Sequence, residues 1–362
     1  MTYIVGSETI ANKYLAYAAS KRTGNTIRFD LFEKAFDKAD WSIEPSMSWD
    51  SLLDIRAQQI ASKNKPIILG YSGGSDSYTM YEVLKRNNIK IAAIHIRSKP
   101  DDELERVMFI DPLAYMHREA AIYNFKIFQS TPTNKDYELV YSNPDWIWES
   151  NPRVQFSNGF SEQLMMENND AYDWSMDQDY IYVTGHDKPR LLIKDDTFYS
   201  YQDDQTWHNL TDPRVHSFFI TDELPELHIK QSYMLSKYIK RLAIEQNKPL
   251  DFYQEIWNAN KFDAYTYSID GCGRYGDLAH SHIQKKLNRN AKLIIGSGVQ
   301  YGGRDLKSFN TGLLNNEKFI KNYLGGLFAL RFDPLTKDIF NDYNNNMYYI
   351  KLINSKLYKL NT

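Results

Sequence analysis

Apolar and polar positions alternate in two distinct periods along the chain, and the changeover between them outlines most of the expected elements. Up to Lys65 the pattern suits a mostly helical lead, with Trp49-Asp50-Ser51-Leu52-Leu53-Asp54-Ile55 opening a helix that Pro66 ends. Ile67-Ile68-Leu69-Gly70-Tyr71 is a short apolar run of the kind a buried parallel strand shows. Met80, Val83 and Leu84 then mark a helical face that stops near Asn87-Asn88, and Ile91 to Ile96 reads as a second buried strand. Strand, loop, helix and strand within about 30 residues is the length of a βαβ unit, which predicts an open parallel sheet.

The next helix is expected to start at Asp111 as cap with Pro112 in its first turn, followed by Leu113, Met116, Ala120 and Tyr123 at spacings of three and four. Phe125 to Phe128 and Tyr180 to Thr184 read as further strands, and Leu191 to Trp207, alternating around Asp195-Asp196 and Asp203-Asp204, as a small hairpin. Ile229 to Ile244 reads as helix, and the runs 348–353 and 356–360 around Asn354-Ser355 as a terminal hairpin. The fold class is therefore α/β, an open parallel sheet flanked by helices, with a helical N-terminal lead (1–65), a central α/β domain (66–250) and a mixed C-terminal extension (251–362).

Composition narrows the function classes. A hydrophobic content of 42% over 362 residues can furnish a large core. Lys plus Arg at 43 against Asp plus Glu at 46 leaves a net charge of −3 with no long block of either sign, so a nucleic-acid partner is not indicated. The solitary Cys272 excludes a disulfide framework or a Cys-rich metal site supplied by this chain, and a reducing cytoplasm is the expected setting. No run approaches the roughly 20 apolar residues of a membrane span and no leader pattern opens the chain, so no membrane partner is expected. The expected partner is a small-molecule substrate, and nothing in the sequence sets an oligomeric state.

The chemistry concentrates in Tyr71-Ser72-Gly73-Gly74-Ser75-Asp76-Ser77. Two glycines after a buried strand allow a tight turn in which several N–H groups converge on one point, and the following helix adds its positive end. Ser72 and Ser77 can donate to phosphate oxygens. Asp76 has the wrong sign to touch phosphate but is a suitable ligand for a Mg²⁺ that bridges it. A P-loop needs G-x-x-x-x-G-K-[ST], whose lysine is missing here, and a dinucleotide fingerprint fails as well.

The run Ser72, Gly73, Gly74, Asp76 and Ser77 resembles the S-G-G-x-D-S signature of the N-type ATP pyrophosphatases, the PP-loop superfamily with its Rossmann-like parallel sheet. That resemblance implies ATP and Mg²⁺ as cofactors, with Ser72, Gly73, Gly74, Ser75, Asp76 and Ser77 gripping the β,γ-pyrophosphate. A substrate oxygen then attacks the α-phosphorus, pyrophosphate leaves, and a nucleophile displaces AMP. It also places the adenine near the end of the second strand, at His95, although a histidine in a buried strand is equally at home as core.

A second constellation, Gly185-His186-Asp187-Lys188-Pro189-Arg190, follows a later strand, where open α/β sheets hold ligands. By analogy with the same superfamily, Asp187 would share the metal with Asp76, and Lys188 or Arg190 would supply the positive charge the loop lacks; an ordinary charged turn is the alternative. Arg97 and Lys99 are further phosphate or substrate candidates.

Within the superfamily the chain resembles the synthetase domain of asparagine synthetase, with Leu52 to Arg56 in a helical lead before the loop. It departs in carrying Thr2 where glutamine-hydrolysing members carry a cysteine, so nitrogen would come from ammonia, an amine or a separate subunit. The expected activity is an adenylate-forming C–N ligase. Two alternatives stand beside it: a phosphoadenylyl-sulfate-reductase or sulfur-transfer relative using Cys272 in Asp270-Gly271-Cys272-Gly273-Arg274, and a nucleotide-binding module without turnover. Lesser candidates are Asp277, His280 and His282 for metal, Gly296 to Gly298 and Gly302 to Asp305 as a closing loop, and Thr221 to Glu226 with His228, Lys230 and Gln231 facing substrate.

Overall fold

A computed structural model describes residues 2–11, 13–71, 75–97, 103–130, 179–185, 189–202, 204, 214–245, 247–251 and 353–362. Its N-terminal lead pairs β1 (Thr2–Val5) with β2 (Glu8–Ile10) and β3 (Ile27–Asp30), antiparallel on both sides. Helix α1 (Lys13–Thr23) covers this sheet, followed by α2 (Glu33–Phe36) and α3 (Trp49–Ala61). Ser48 caps α3 by accepting from Ser51 N. The lead is thus helical in part only, and its sheet escaped the pattern. Strands of three or four residues, with Tyr3 and Val5 the only positions buried on β1, are too short to show a period of two.

The central sheet follows: β4 (Ile67–Gly70), α4 (Ser75–Arg86), β5 (Ala93–Arg97), α5 (Glu103–Tyr123), β6 (Lys126–Ser130) and β7 (Ile181–Thr184). The hairpin β8 (Arg190–Lys194) and β9 (Thr197–Tyr201) comes next, then β10 (Val215–Ser217), helix α6 (Pro225–Glu245) and β11 (Tyr358–Leu360). Strands β10, β7, β4, β5 and β6 lie side by side in that order, every pair parallel, which is the open sheet expected from the sequence. Both faces of it are covered. Ile67, Leu69, Ile94, Ile181 and Val183 join the main core with α3, α4 and α6, while Ile68, Ala93, Tyr180 and Tyr182 form a second cluster on the opposite face. Burial on both faces explains why these strands read as unbroken apolar runs.

Chain order reverses beside β4. From β4 the chain steps outward to β5 and β6, then returns to lay β7 and β10 on the other flank. Open α/β sheets form their ligand crevice at such a switch point, which here falls between the carboxyl ends of β4 and β7.

Around this sheet, α3 is tied to α4 by Arg86, whose Nη1 lies 2.9 Å from Asp50 Oδ1 and Nε 2.7 Å from Asp54 Oδ1. Arg56 of α3, 1% exposed, donates to the carbonyls of Ser217 and Phe218 and pairs with Glu223, fixing the chain beyond β10. The hairpin turns at Asp195 and Asp196, both at positive φ (49° and 55°), as a two-residue hairpin turn of this twist requires. Strand β11 pairs antiparallel with β9, and Phe29 N donates to Asn354 O at 2.9 Å, so the chain's last residues join hairpin to lead. At the centre of that junction Asp204, fully buried, takes Lys13 Nζ at 2.6 Å, Tyr3 Oη at 3.0 Å and Ile353 N at 3.0 Å.

One expectation needs correcting here. Helix α5 begins at Glu103, so Asp111 and Pro112 lie inside it and not at its start; proline removes one backbone donor, and the turns on either side keep the helix. Of the expected terminal hairpin, residues 358–360 form β11, which pairs with β9, and the run 348–352 lies outside the described residues.

Candidate functional site

The carboxyl end of β4 is set by what surrounds Gly70. Tyr71 N donates to His95 O at 2.8 Å, extending the β4–β5 pairing one residue into the loop. The Tyr71 side chain, 4% exposed, turns into the core against Tyr81; burial and then the nearby Tyr78, Glu82 and Glu119 push its hydroxyl well above the ordinary tyrosine range. Its ring is a hydrophobic anchor for the loop. Helix α4 starts at Ser75, leaving room between strand and helix only for residues 72–74, which lie outside the described residues. Asp76 stands half-buried in the first turn of α4, and Ser77 is 4% exposed.

From the other side of the crevice, β7 brings Gly185 against this turn. A Cβ placed on Gly185 would lie 3.2 Å from Asp76 Cβ and 2.9 Å from Met80 Cε. The absence of a side chain at 185 is what allows the end of β7 to approach α4 so closely. The structure thereby brings Gly185 and Asp76 together although they are more than 100 residues apart in sequence.

Thr184, one residue earlier, is the group that sequence reading overlooked. It is 2% exposed and its Oγ1 has no hydrogen-bond partner among the described residues. A buried hydroxyl left unsatisfied costs about 1–3 kcal/mol, so its position at the crevice is an observation that asks for a ligand. The signal in the sequence was its place as the last residue of a strand, directly before the glycine.

His95 lies on β5 opposite Gly70. Its ring is 4% exposed, and its Nδ1 is 2.7 Å from Tyr182 Oη. Arg190 opens β8, half-buried and opposite Tyr201. Ser72, Gly73, Gly74, Asp187, Lys188, Lys99 and Cys272 lie outside the described residues, as do Asp277, His280, His282 and the glycine-rich stretch 296–305; of Ser75 and Arg97 only the backbone is described.

The group after β10 has other employment. Glu223 pairs with Arg56 and Lys63, and hydrogen bonds from Lys63 and Arg56 hold its carboxyl below the usual range although burial opposes this. Lys230 donates to Pro45 O at 3.0 Å and lies 2.9 Å from Glu44, while His228 and Gln231 are buried within the core at 1% and 4% exposure. The reading of these residues as a substrate-facing set is replaced by a packing role, since α6 is buried between α3 and the hairpin.

No cluster of three or more metal-ligating side chains occurs among the described residues. One carboxylate at a helix start fits a Mg²⁺ that takes most of its ligands from phosphate oxygens and water. Among the described residues no helix is long and apolar enough to cross a membrane.

No protein-family model matches the sequence, and no curated protein matches it. Among solved structures, an NH3-dependent NAD synthetase from Campylobacter jejuni, in complex with nitrate, aligns over 66% of this chain and 95% of its own at 13% identity and a TM-score of 0.28. That likeness is faint, and the weight rests on the topology and contacts of this chain itself.

Proposed function

We propose that the chain binds Mg·ATP at the β4–β7 crevice and uses it as an ATP pyrophosphatase of the PP-loop kind, forming an adenylated substrate and free pyrophosphate. The observation that supports this reading is the close approach of Gly185, at the end of β7, to Asp76 in the first turn of the helix that follows the Ser-Gly-Gly run, beside the switch point of a parallel sheet. Anion-binding amides, a helix start and one carboxylate then share a crevice with the chain leaving a neighbouring strand.

In this reading the loop and the N-terminus of α4 hold the β,γ-phosphates, with Ser72 and Ser77 donating to their oxygens. Asp76, joined by Asp187, would hold Mg²⁺, whose charge neutralises the pyrophosphate as it leaves. Thr184 donates to the nucleotide, and Lys188 or Arg190 adds the positive charge absent from the loop. A carboxylate or carbonyl oxygen of the acceptor attacks the α-phosphorus and pyrophosphate departs. Ammonia or an amine then attacks the activated carbon, AMP leaves with the former acceptor oxygen, and the nitrogen loses a proton. This C–N ligase chemistry is of the asparagine-synthetase type.

The test is ATP labelled at the α-phosphate, incubated with Mg²⁺ and panels of acids with ammonia or amines. Labelled AMP with stoichiometric pyrophosphate is expected. ADP with inorganic phosphate as the only products would overturn the assignment, and ATP binding without turnover across the panel would leave a nucleotide-binding module in its place.

A further inference from the structure

The residues flanking the 72–74 stretch, Tyr71 and Asp76, lie against β5 and against the end of β7, and those two strands are tied together by a hydrogen bond that passes over a glycine. Strand β4 lies between β7 and β5, yet Tyr182 on β7 reaches across it to His95 on β5, with Oη 2.7 Å from Nδ1. The crossing is possible because residue 70 has no side chain: a Cβ there would lie 2.8 Å from Tyr182 Oη, 3.2 Å from Cζ and 3.3 Å from Cε1. Tyr182 and His95 are 1% and 4% exposed, so the pair is shielded from competing water.

His95 holds the loop's first shoulder in two ways. Its carbonyl accepts from Tyr71 N at 2.8 Å, and its imidazole is held by Tyr182. The second shoulder, at Asp76, rests on Gly185 of the same β7 segment. Tyr182 N in turn donates to Arg214 O at 2.8 Å, which secures this part of β7 to the chain entering β10. Tyr71 and Asp76 are therefore supported by His95 of β5 and by Gly185 at the end of β7, and the Tyr182–His95 bond ties those two supports together.

We infer that Tyr182 and His95 are positioning residues for the phosphate loop: their hydrogen bond across Gly70 sets the spacing of the loop's shoulders and so tunes its affinity for the pyrophosphate portion of the nucleotide. The inference rests on the ATP reading of the site. It differs from the expectation that His95 lies against adenine, because a positioning role acts on any pyrophosphate ligand, with or without a base.

The experiment measures binding of Mg·ATP and of Mg²⁺ with inorganic pyrophosphate by calorimetry, with thermal unfolding in parallel. Tyr182→Phe keeps the ring and removes the hydroxyl; losing one such bond is expected to weaken both ligands about fivefold to tenfold. His95→Leu is expected to do the same, His95→Asn, which keeps a polar atom near the place of Nδ1, to recover most of the loss, and the Tyr182→Phe/His95→Leu pair to be no worse than either alone. Gly70→Ala drives a methyl into Oη and is expected to weaken binding further, with Tyr182→Phe partly restoring it.

Wild-type affinities in Tyr182→Phe, whatever its thermal stability, would overturn the inference while leaving the ATP reading intact. Weaker ATP binding by the His95 variants with unchanged pyrophosphate binding would overturn it in favour of contact with the base. A wild-type protein that binds neither ligand would remove the ATP reading and the inference with it.

Discussion

His228 offers a quantitative test of the packing between α6 and the lead. Its ring is 1% exposed, lies 5.4 Å from both Phe36 and Trp41 between ring centroids, and has one polar contact, Nε2 to Ser200 Oγ at 3.2 Å. Nδ1 has no partner. Burial disfavours the imidazolium and pulls the pKa down from 6.5 to about 3. A depressed folded-state pKa means that the unfolded chain takes up its proton first as the pH falls. The stability held by neutral His228 is therefore complete above pH 6.5 and is lost as the pH drops toward 3. The loss runs at about 1.4 kcal/mol per pH unit within that window, hence roughly 2 to 3 kcal/mol by pH 4.5.

His228→Phe isolates this contribution. The phenyl ring can stack on Phe36 in place of the imidazole, and Ser200 keeps its bond to Ser232 at 2.8 Å. Urea unfolding of both proteins at pH 7.5 and pH 4.5 gives a difference of differences in which other titrating groups cancel. The wild type is expected to lose roughly 2 to 3 kcal/mol more than the variant on acidification. Parallel losses would refute the reasoning and show that solvent reaches the ring in the folded state.

Three further outcomes follow from the same contacts. Asp76→Asn keeps the shape of the side chain and removes its charge, so release of AMP and pyrophosphate is expected to fall about a hundredfold or more, with a higher Mg²⁺ requirement; unchanged turnover in the labelled-ATP assay would take Asp76 out of the site. Thr184→Val removes a buried hydroxyl that the protein leaves unsatisfied, and should raise stability by about 1 kcal/mol while weakening ATP binding. A thermal melt and a titration together check it, and weaker ATP binding with lowered stability would point to packing instead. Lys13→Met strands the carboxylate of Asp204 in the core, and equilibrium unfolding is expected to show a cost of about 3 kcal/mol or more; a cost below about 1 would mean that Tyr3 and Ile353 suffice to hold that charge.

Much of the central sheet was legible along the chain because burial on both faces writes each parallel strand as an apolar run, as at Ile67 to Leu69 and Ile181 to Val183. The hairpin was legible because Asp195 and Asp196 tolerate the left-handed backbone its turn demands. The run 72–77 stands out in the sequence for a local reason, since anion binding by backbone amides would need glycines and hydroxyls in consecutive positions, and the proposed site rests on that pattern.

Other features depend on which segments meet, and no single segment records them. The short strands of the lead owe their place to pairing with one another and, through Phe29 and Asn354, to the end of the chain. Proline at 112 is the usual mark of a helix start, yet α5 runs through it. Gly70 reads as part of a strand and Gly185 as a turn residue, whereas their missing side chains serve passages by Tyr182 and by Asp76 with Met80. The sequence by itself determined most elements of the central sheet, since they arise from the periodicity of neighbouring residues. Tertiary structure alone decided that Gly185 would lie beside Asp76 and that Tyr182 would reach His95 across Gly70, because residues so far apart meet only once the strand order of the sheet is set.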